Sequence, residues 1–140
     1  MIDIARLGQL GNEGVLALLS DSTNVEQPGH SASERKVGES FDKLFMGCDK
    51  RIIITTFASN VHRLQQIINV AAKYNRKVGI TGRSMENVLH VASVLGYMDI
   101  PENVMVDIDK INKLPHNQTV IISTGSQGEA MSALYRMAFS

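Results

Sequence analysis

An apolar strand followed by a polar turn and a helix is the feature that most constrains how this chain can fold. Ile52–Ile54 form a β-branched run between Lys50–Arg51 and Thr55–Thr56, which is typical of a strand buried on both faces. From Val61 to Ala72 apolar residues recur at three- and four-residue steps, which predicts a helix beginning near Ser59. In a parallel sheet such a junction lies at the carboxyl edge, where free helix N–H groups favour an anion.

Similar strand–turn–helix units recur along the chain and predict the α/β class. Five strands are predicted, at Val15–Leu19, Ile52–Ile54, Val78–Thr81, Val104–Val106 and Thr119–Ser123. Helical patterns occur between and beyond them: at Ile2–Leu10, after a cap at Ser31 or Ser33, after Ser59, after Ser84, at Lys110–Leu114 and from about Met131 to the end. We therefore expect a mainly parallel sheet of four to five strands with helices on both faces, joined by right-handed crossovers.

Net charge, cysteine content and the length of the apolar runs limit the kinds of protein and partner that fit this sequence. The 140 residues include fourteen basic and fourteen acidic side chains, so a nucleic-acid partner would have to be held by a local patch. The single cysteine, Cys48, excludes an internal disulfide and fits a reducing cytoplasm. No apolar run approaches the ~20 residues of a membrane span. These features predict one compact, soluble, cytoplasmic α/β domain without a membrane partner.

Small polar or basic residues follow four of the predicted strands. The clusters are Ser20–Asn24, Thr55–Asn60 with His62 and Arg63, Thr81–Ser84, and Ser123–Glu129. In a parallel sheet all four would gather on one edge, offering N–H groups, hydroxyls, two arginines and a histidine to a phosphate-bearing ligand. The residues expected to bind it are Ser59, Asn60, His62, Arg63, Arg83, Ser84, Gly125, Ser126 and Gln127. The alternative is that turns and helix caps alone require these residue types.

The sequence lacks the usual motifs of a nucleotide-binding site and of a zinc site. Gly125–Gly128 matches neither G-x-G-x-x-G nor a P-loop, so it is a weak nucleotide signal. The four histidines are widely spaced and form no H-x-H or H-x-x-x-H pair, so we do not expect a self-contained zinc site. Asp21 could be a general base, a metal ligand or a turn residue, and sequence alone leaves these three alternatives open.

Four motifs read in order resemble those of the ribonuclease J family. They are Leu18–Asn24, Thr56–Arg63, Gly82–Met85 and Ser123–Glu129. Members of that family are zinc-dependent ribonucleases of the metallo-β-lactamase superfamily, which cut RNA internally and trim it from a 5′-monophosphate end. Their beta-CASP domain, a Rossmann-like fold, is inserted into the metallo-β-lactamase domain and closes over the RNA channel.

The resemblance implies a division of labour within a longer enzyme. Residues 1–24 would be a lead-in from the metallo-β-lactamase portion, and residues 25–140 the beta-CASP domain. Asp21 would be the acidic residue of the first beta-CASP motif, supporting the metal centre without binding the metal. The H-x-H-x-D-H motif is absent, so we expect this chain alone to lack a cofactor and activity, with zinc belonging to the full-length hydrolase.

The leading hypothesis is a wall of an RNA channel that helps to position the RNA 5′ end for metal-assisted hydrolysis. Its expected partners are RNA and the metallo-β-lactamase domain of the same chain, with a homo-oligomer possible. Two alternatives remain open at this point. The same edge could bind a nucleotide or phosphosugar in a small α/β domain, or the domain could mainly supply an oligomer surface.

Overall fold

The computed structural model describes residues 3–23, 25–31 and 33–139. Helix α1 (Ile4–Glu13) begins after Asp3, whose side chain accepts a hydrogen bond from the Arg6 N–H at 2.9 Å. It ends at Gly14, where the positive φ of 90° favours glycine. The predicted helix is thus confirmed and runs three residues beyond Leu10. Residues 1–31 form one compact unit and residues 32–140 a second.

The strand predicted at Val15–Leu19 is wrong. These residues adopt neither strand nor helix, and Leu16 and Leu19 are almost fully exposed. A continuous apolar run indicates a tendency to be buried, but a strand also needs a neighbouring strand to satisfy its N–H and C=O groups. Within the described residues, this segment has no such neighbour.

Residues 32–140 contain a parallel sheet of three strands in the order β1–β3–β2. They are β1 (Ile52–Thr55), β2 (Lys77–Thr81) and β3 (Thr119–Ser123). The parallel α/β class is confirmed, although the sheet has three strands among the described residues rather than four to five. Of the predicted fourth strand, Val104–Val106, only Met105 pairs, in a single bridge to Val78. Asp107 then caps the next helix, which ends the extended segment.

The central strand of the sheet is β3, and β1 lies at an edge. All five residues of β3 are buried, whereas Ile53 of β1 is 49% exposed. The expectation that Ile52–Ile54 are buried on both faces is therefore wrong, because an edge strand is covered by fewer neighbours. The β-branched run predicted the strand correctly, but the position of that strand in the sheet depends on the strands that pair with it.

Helices cover both faces of the sheet, as predicted. On one face α3 (Val61–Lys73) and α4 (Arg83–Val94) pack on the core side of the strands, and α2 (Glu34–Met46) packs on α3. The opposite face is covered at β2 by α5 (Ile108–Ile111): a Cβ at Gly79 would lie 2.7 Å from Cδ1 of Ile111. After β3 the chain ends in α6 (Ala133–Phe139).

The residues that precede the helices differ from some of the predicted caps. Of the two candidates for α2, Ser33 is the cap. Helix α3 is capped by Asn60, next to the predicted Ser59. Helix α4 follows Gly82, whose φ of 118° a side chain would disfavour, so Ser84 is inside the helix. These shifts decide which polar groups remain free at the strand ends.

Candidate phosphate-binding edge

Three polar loops lie side by side where the parallel strands end. We call this surface the carboxyl edge and define it by residues 56–63, 82–84 and 124–127. The register pairs Ser123 with both Thr55 and Thr81, so the three strands stop at one level. The loops also touch, since a Cβ at Gly82 would lie 3.3 Å from Oγ1 of Thr124. The structure therefore brings together nine of the ten predicted site residues, all except Asp21.

At the start of α3 the polar groups are partly occupied by the protein itself. Oδ1 of Asn60 accepts a hydrogen bond from the Arg63 N–H at 3.1 Å, while Ser59 and His62 are exposed. The Arg63 guanidinium forms a bidentate ion pair with Glu34, with Nε 2.8 Å from Oε1 and Nη2 2.9 Å from Oε2. Glu34 therefore largely neutralises the charge that the sequence suggested for a phosphate.

At the start of α4 the polar groups are free. The Arg83 and Ser84 side chains are exposed, and within residues 33–139 the Arg83 guanidinium has no hydrogen bond or ion pair. Gly82 provides no side-chain cap, and the Met85 N–H donates to the Gly82 carbonyl at 2.9 Å, so within residues 33–139 the helix N–H groups without a partner are those of Arg83 and Ser84. An unpaired guanidinium beside a helix N-terminus is a favourable place for a phosphate oxygen.

The loop after β3 lies between the other two. Gly125 is buried with φ 115°, and a turn closes with the Gly128 N–H donating to the Gly125 carbonyl at 3.1 Å. Ser126 and Gln127 are exposed, and the Gln127 N–H donates to Oε2 of Glu129 at 3.2 Å. Because α6 begins only at Ala133, this loop presents a tight turn to the edge instead of a helix N-terminus.

Two buried hydroxyls at the ends of β1 and β3 belong to the predicted polar clusters but were not among the residues predicted to bind a ligand. Oγ1 of Thr56 and Oγ of Ser123 are buried and make no hydrogen bond within the described parts of the chain. Their segments are adjacent, since the Thr56 N–H donates to the Ser123 carbonyl at 3.2 Å. A buried hydroxyl without a partner costs about 1–3 kcal/mol. The position of both residues at strand ends was the only sequence signal available.

Asp21 lies in the other compact unit and forms a local turn. Its Oδ1 accepts hydrogen bonds from the Thr23 N–H at 2.8 Å and the Thr23 hydroxyl at 2.6 Å. The hydroxyl contact, with the backbone N–H, holds the pKa of Asp21 below its ordinary value. The turn role left open by the sequence is therefore present, while a supporting role beside a metal stays a prediction. Asn24 lies outside the described residues.

The described residues do not fit a zinc centre. Within residues 3–23, 25–31 and 33–139, no group of three or more His, Cys, Asp and Glu side chains could hold a metal ion. Zinc sites in proteins have three or four such ligands. No helix in these ranges is both long enough and apolar enough to cross a bilayer.

The match to a known family covers most of the chain. The sequence model of the family described as "Ribonuclease J, beta-CASP domain" matches residues 49–140. The chain belongs to this family. Its match begins just before β1 and includes all three loops of the carboxyl edge, together with three of the four motifs. The resemblance is therefore confirmed as a family relationship.

Similar curated proteins carry the ribonuclease J name. Ribonuclease J of Helicobacter pylori strain J99 is 47% identical over 136 residues, covering 97% of this chain and 20% of that protein. Ribonuclease J2 of Bacillus subtilis is 44% identical over 137 residues, covering 97% of this chain and 24% of that protein. This beta-CASP chain thus spans about a fifth to a quarter of the length of these relatives.

Proposed function

We propose that this beta-CASP chain forms one wall of an RNA channel and holds the sugar–phosphate backbone on its carboxyl edge. The observation that supports this most directly is the free guanidinium of Arg83 beside the uncapped start of α4. Exposed Ser59, Ser126 and Gln127 add hydrogen-bonding groups along the same edge. Contacts of this kind fix the position of a strand without reading its sequence.

In this proposal the chain positions RNA and a second domain performs the chemistry. A metallo-β-lactamase domain of the same full-length protein would hold zinc, which supplies the Lewis acid and activated water for phosphodiester hydrolysis. The carboxyl edge would bind phosphates near the RNA 5′ end and orient the strand, whether the cut is internal or terminal. Asp21 would lie next to the metal centre and support it without binding the metal. The single cysteine agrees with a cytoplasmic protein.

The proposal is tested by RNA binding to the 140-residue chain. Fluorescence anisotropy with a 5′-monophosphorylated single-stranded RNA should show Arg83→Ala weakening binding about fivefold at low salt, as expected for one exposed ion pair. Lys50→Ala is the matched control, because Lys50 is also exposed but lies two residues before β1, at the opposite end of the strand.

Equal losses for Arg83→Ala and Lys50→Ala, or no loss for either, would contradict the proposal. Competition with mononucleotides separates it from the nucleotide-binding alternative. Complete, salt-insensitive displacement of RNA by a mononucleotide would favour a nucleotide site, since RNA held by its backbone should be displaced increasingly by salt.

A further inference from the structure

An apolar groove adjoins the carboxyl edge, between the start of α3 and α4. It has a volume of about 580 Å³, and we define this α3–α4 groove by Val61, His62, Asn87, Val91, Leu95 and Tyr97. Its size is within the range of roughly 300–1,000 Å³ that is usual for small-molecule sites. Nothing in the sequence singled out Tyr97 for this place, because it follows α4 and lies 35 residues beyond His62.

The chemistry of the groove differs from that of the edge. No Lys, Arg, Asp or Glu lines it, so it lacks the permanently charged side chains that usually hold a phosphate. Three of its apolar side chains are well exposed: Val91 is 53%, Leu95 63% and Tyr97 76% exposed. The amide of Asn87 and the imidazole of His62 supply a few polar groups among them. Such a lining suits a flat, uncharged group that carries hydrogen-bonding atoms on its rim.

The groove and the carboxyl edge share residues. Ser59, Asn60 and His62 line the groove and also belong to the loop that follows β1. A ligand whose anionic part lies on the edge could therefore place an uncharged aromatic part in the groove. An RNA nucleotide has this combination, and proteins commonly hold single-stranded bases by stacking them on aromatic side chains.

We propose that the α3–α4 groove receives one nucleobase of the RNA strand whose phosphates lie on the carboxyl edge. The base stacks on Tyr97, packs against Val91 and Leu95, and turns its polar rim towards His62 and Asn87. Because every base has an aromatic face, this contact adds affinity with little preference for sequence. The inference rests on the proposed function, since the edge must hold the adjoining phosphates.

The test compares a short single-stranded RNA with an abasic oligomer of the same length and charge. The 140-residue chain should bind the RNA about tenfold more tightly, the usual effect of one stacked base. Tyr97→Ala should abolish this preference and leave abasic binding unchanged, while Tyr97→Phe should keep it. Tyr135→Ala is the matched control, because Tyr135 is also exposed but lies on α6. Circular dichroism checks that each variant is folded.

The outcomes separate the groove from the edge. The groove proposal is wrong if RNA and the abasic oligomer bind equally well, or if the preference for RNA survives Tyr97→Ala. The proposed function still stands in that case, provided that Arg83→Ala weakens binding of the abasic oligomer. Failure of both oligomers to bind overturns the groove and the proposed function together. If Tyr97→Ala instead leaves RNA preference intact and changes the sedimentation coefficient, the groove is a protein interface and the nucleobase proposal is wrong.

Discussion

At the scale of single residues, the turn after β3 depends on one glycine. Gly125 has φ 115°, and an added Cβ would lie 2.6 Å from Oγ of Ser132 and 2.9 Å from Cβ of Leu134. Gly125→Ala therefore combines backbone strain with a clash that the neighbouring segment cannot relieve by a simple rotation. We expect a loss of about 2–4 kcal/mol in the free energy of unfolding, measured by urea denaturation.

Gly128 is the control for this prediction, because it belongs to the same turn. Its φ is also positive, at 71°, but nothing lies within 4 Å of an added Cβ. Gly128→Ala should therefore cost only the backbone term, about 1 kcal/mol. Similar losses for both variants would mean that the contact with Ser132 and Leu134 does not hold the loop in place.

A second residue-scale prediction concerns Arg76, which is 4% exposed. Its Nη1 donates to the Lys50 carbonyl at 2.8 Å, and its Nη2 donates to the Cys48 carbonyl. The guanidinium thereby satisfies two backbone carbonyls that precede β1, in partly buried hydrogen bonds. Arg76→Met should lower the free energy of unfolding by about 2–4 kcal/mol, because both carbonyls lose their charged donor.

The exposed Arg35 supplies the comparison for Arg76. Arg35→Met should change the free energy of unfolding by no more than about 0.5 kcal/mol, as is usual for a surface position. Arg76→Lys should fall between the two, because an ammonium reaches fewer acceptors than the planar guanidinium. An Arg76→Met variant as stable as Arg35→Met would contradict the structural role given to these hydrogen bonds.

At the scale of secondary-structure elements, an ion pair joins the starts of α2 and α3. Glu34 is the first residue of α2 and binds Arg63 of α3, with both side chains about one-third exposed. A double-mutant cycle with Glu34→Gln and Arg63→Met should give a coupling energy of about 0.5–1 kcal/mol that decreases in high salt. The measurement is urea unfolding of the four proteins.

The pair between Arg6 and Glu13 is a useful contrast within α1. Its atoms are 3.6 Å apart and both side chains are more than half exposed, so its coupling should be close to zero. A coupling at Glu34 and Arg63 no larger than this would show that the bidentate geometry does not persist in solution.

The elements also show what sequence patterns can determine. The bounds of β3, Thr119–Ser123, agree with the prediction because its apolar run is continuous and polar residues flank it on both sides. Val15–Leu19 has the same pattern and is not a strand, since pairing depends on residues far along the chain. The cap of α3 moved from Ser59 to Asn60 because adjacent polar residues are equally suitable locally, and backbone geometry selects one.

The candidate site was also predictable only in part: the sequence indicated where its polar clusters lie but not which of its charges are paired. Parallel strands bring their ends together, so three of the four polar clusters could be placed on one edge from the order of strands and helices along the chain. The fourth depended on the incorrect strand at Val15–Leu19. The pairing of Arg63 with Glu34 joins residues 29 apart, and no local pattern reports whether an arginine is already neutralised by such a partner.

At the scale of the whole molecule, the balance of charge limits how RNA can be held. The chain has no net charge, and on the carboxyl edge Arg83 is free while Arg63 is paired. RNA affinity should therefore depend only weakly on salt. In a plot of the logarithm of the binding constant against the logarithm of the salt concentration, each phosphate contacted contributes a slope of about −0.7. We expect a slope that corresponds to one or two phosphates.

Removing the free arginine, Arg83, and releasing the paired arginine, Arg63, should change this salt dependence in opposite directions. Arg83→Ala should make the slope shallower by about one phosphate. Glu34→Gln should make the slope steeper by about one phosphate, because the released Arg63 guanidinium can then reach the RNA backbone. Combining Glu34→Gln with Arg63→Met should cancel that increase. A slope that Glu34→Gln leaves unchanged would show that Arg63 serves only to join α2 and α3, and that the phosphate contacts of this edge depend on Arg83.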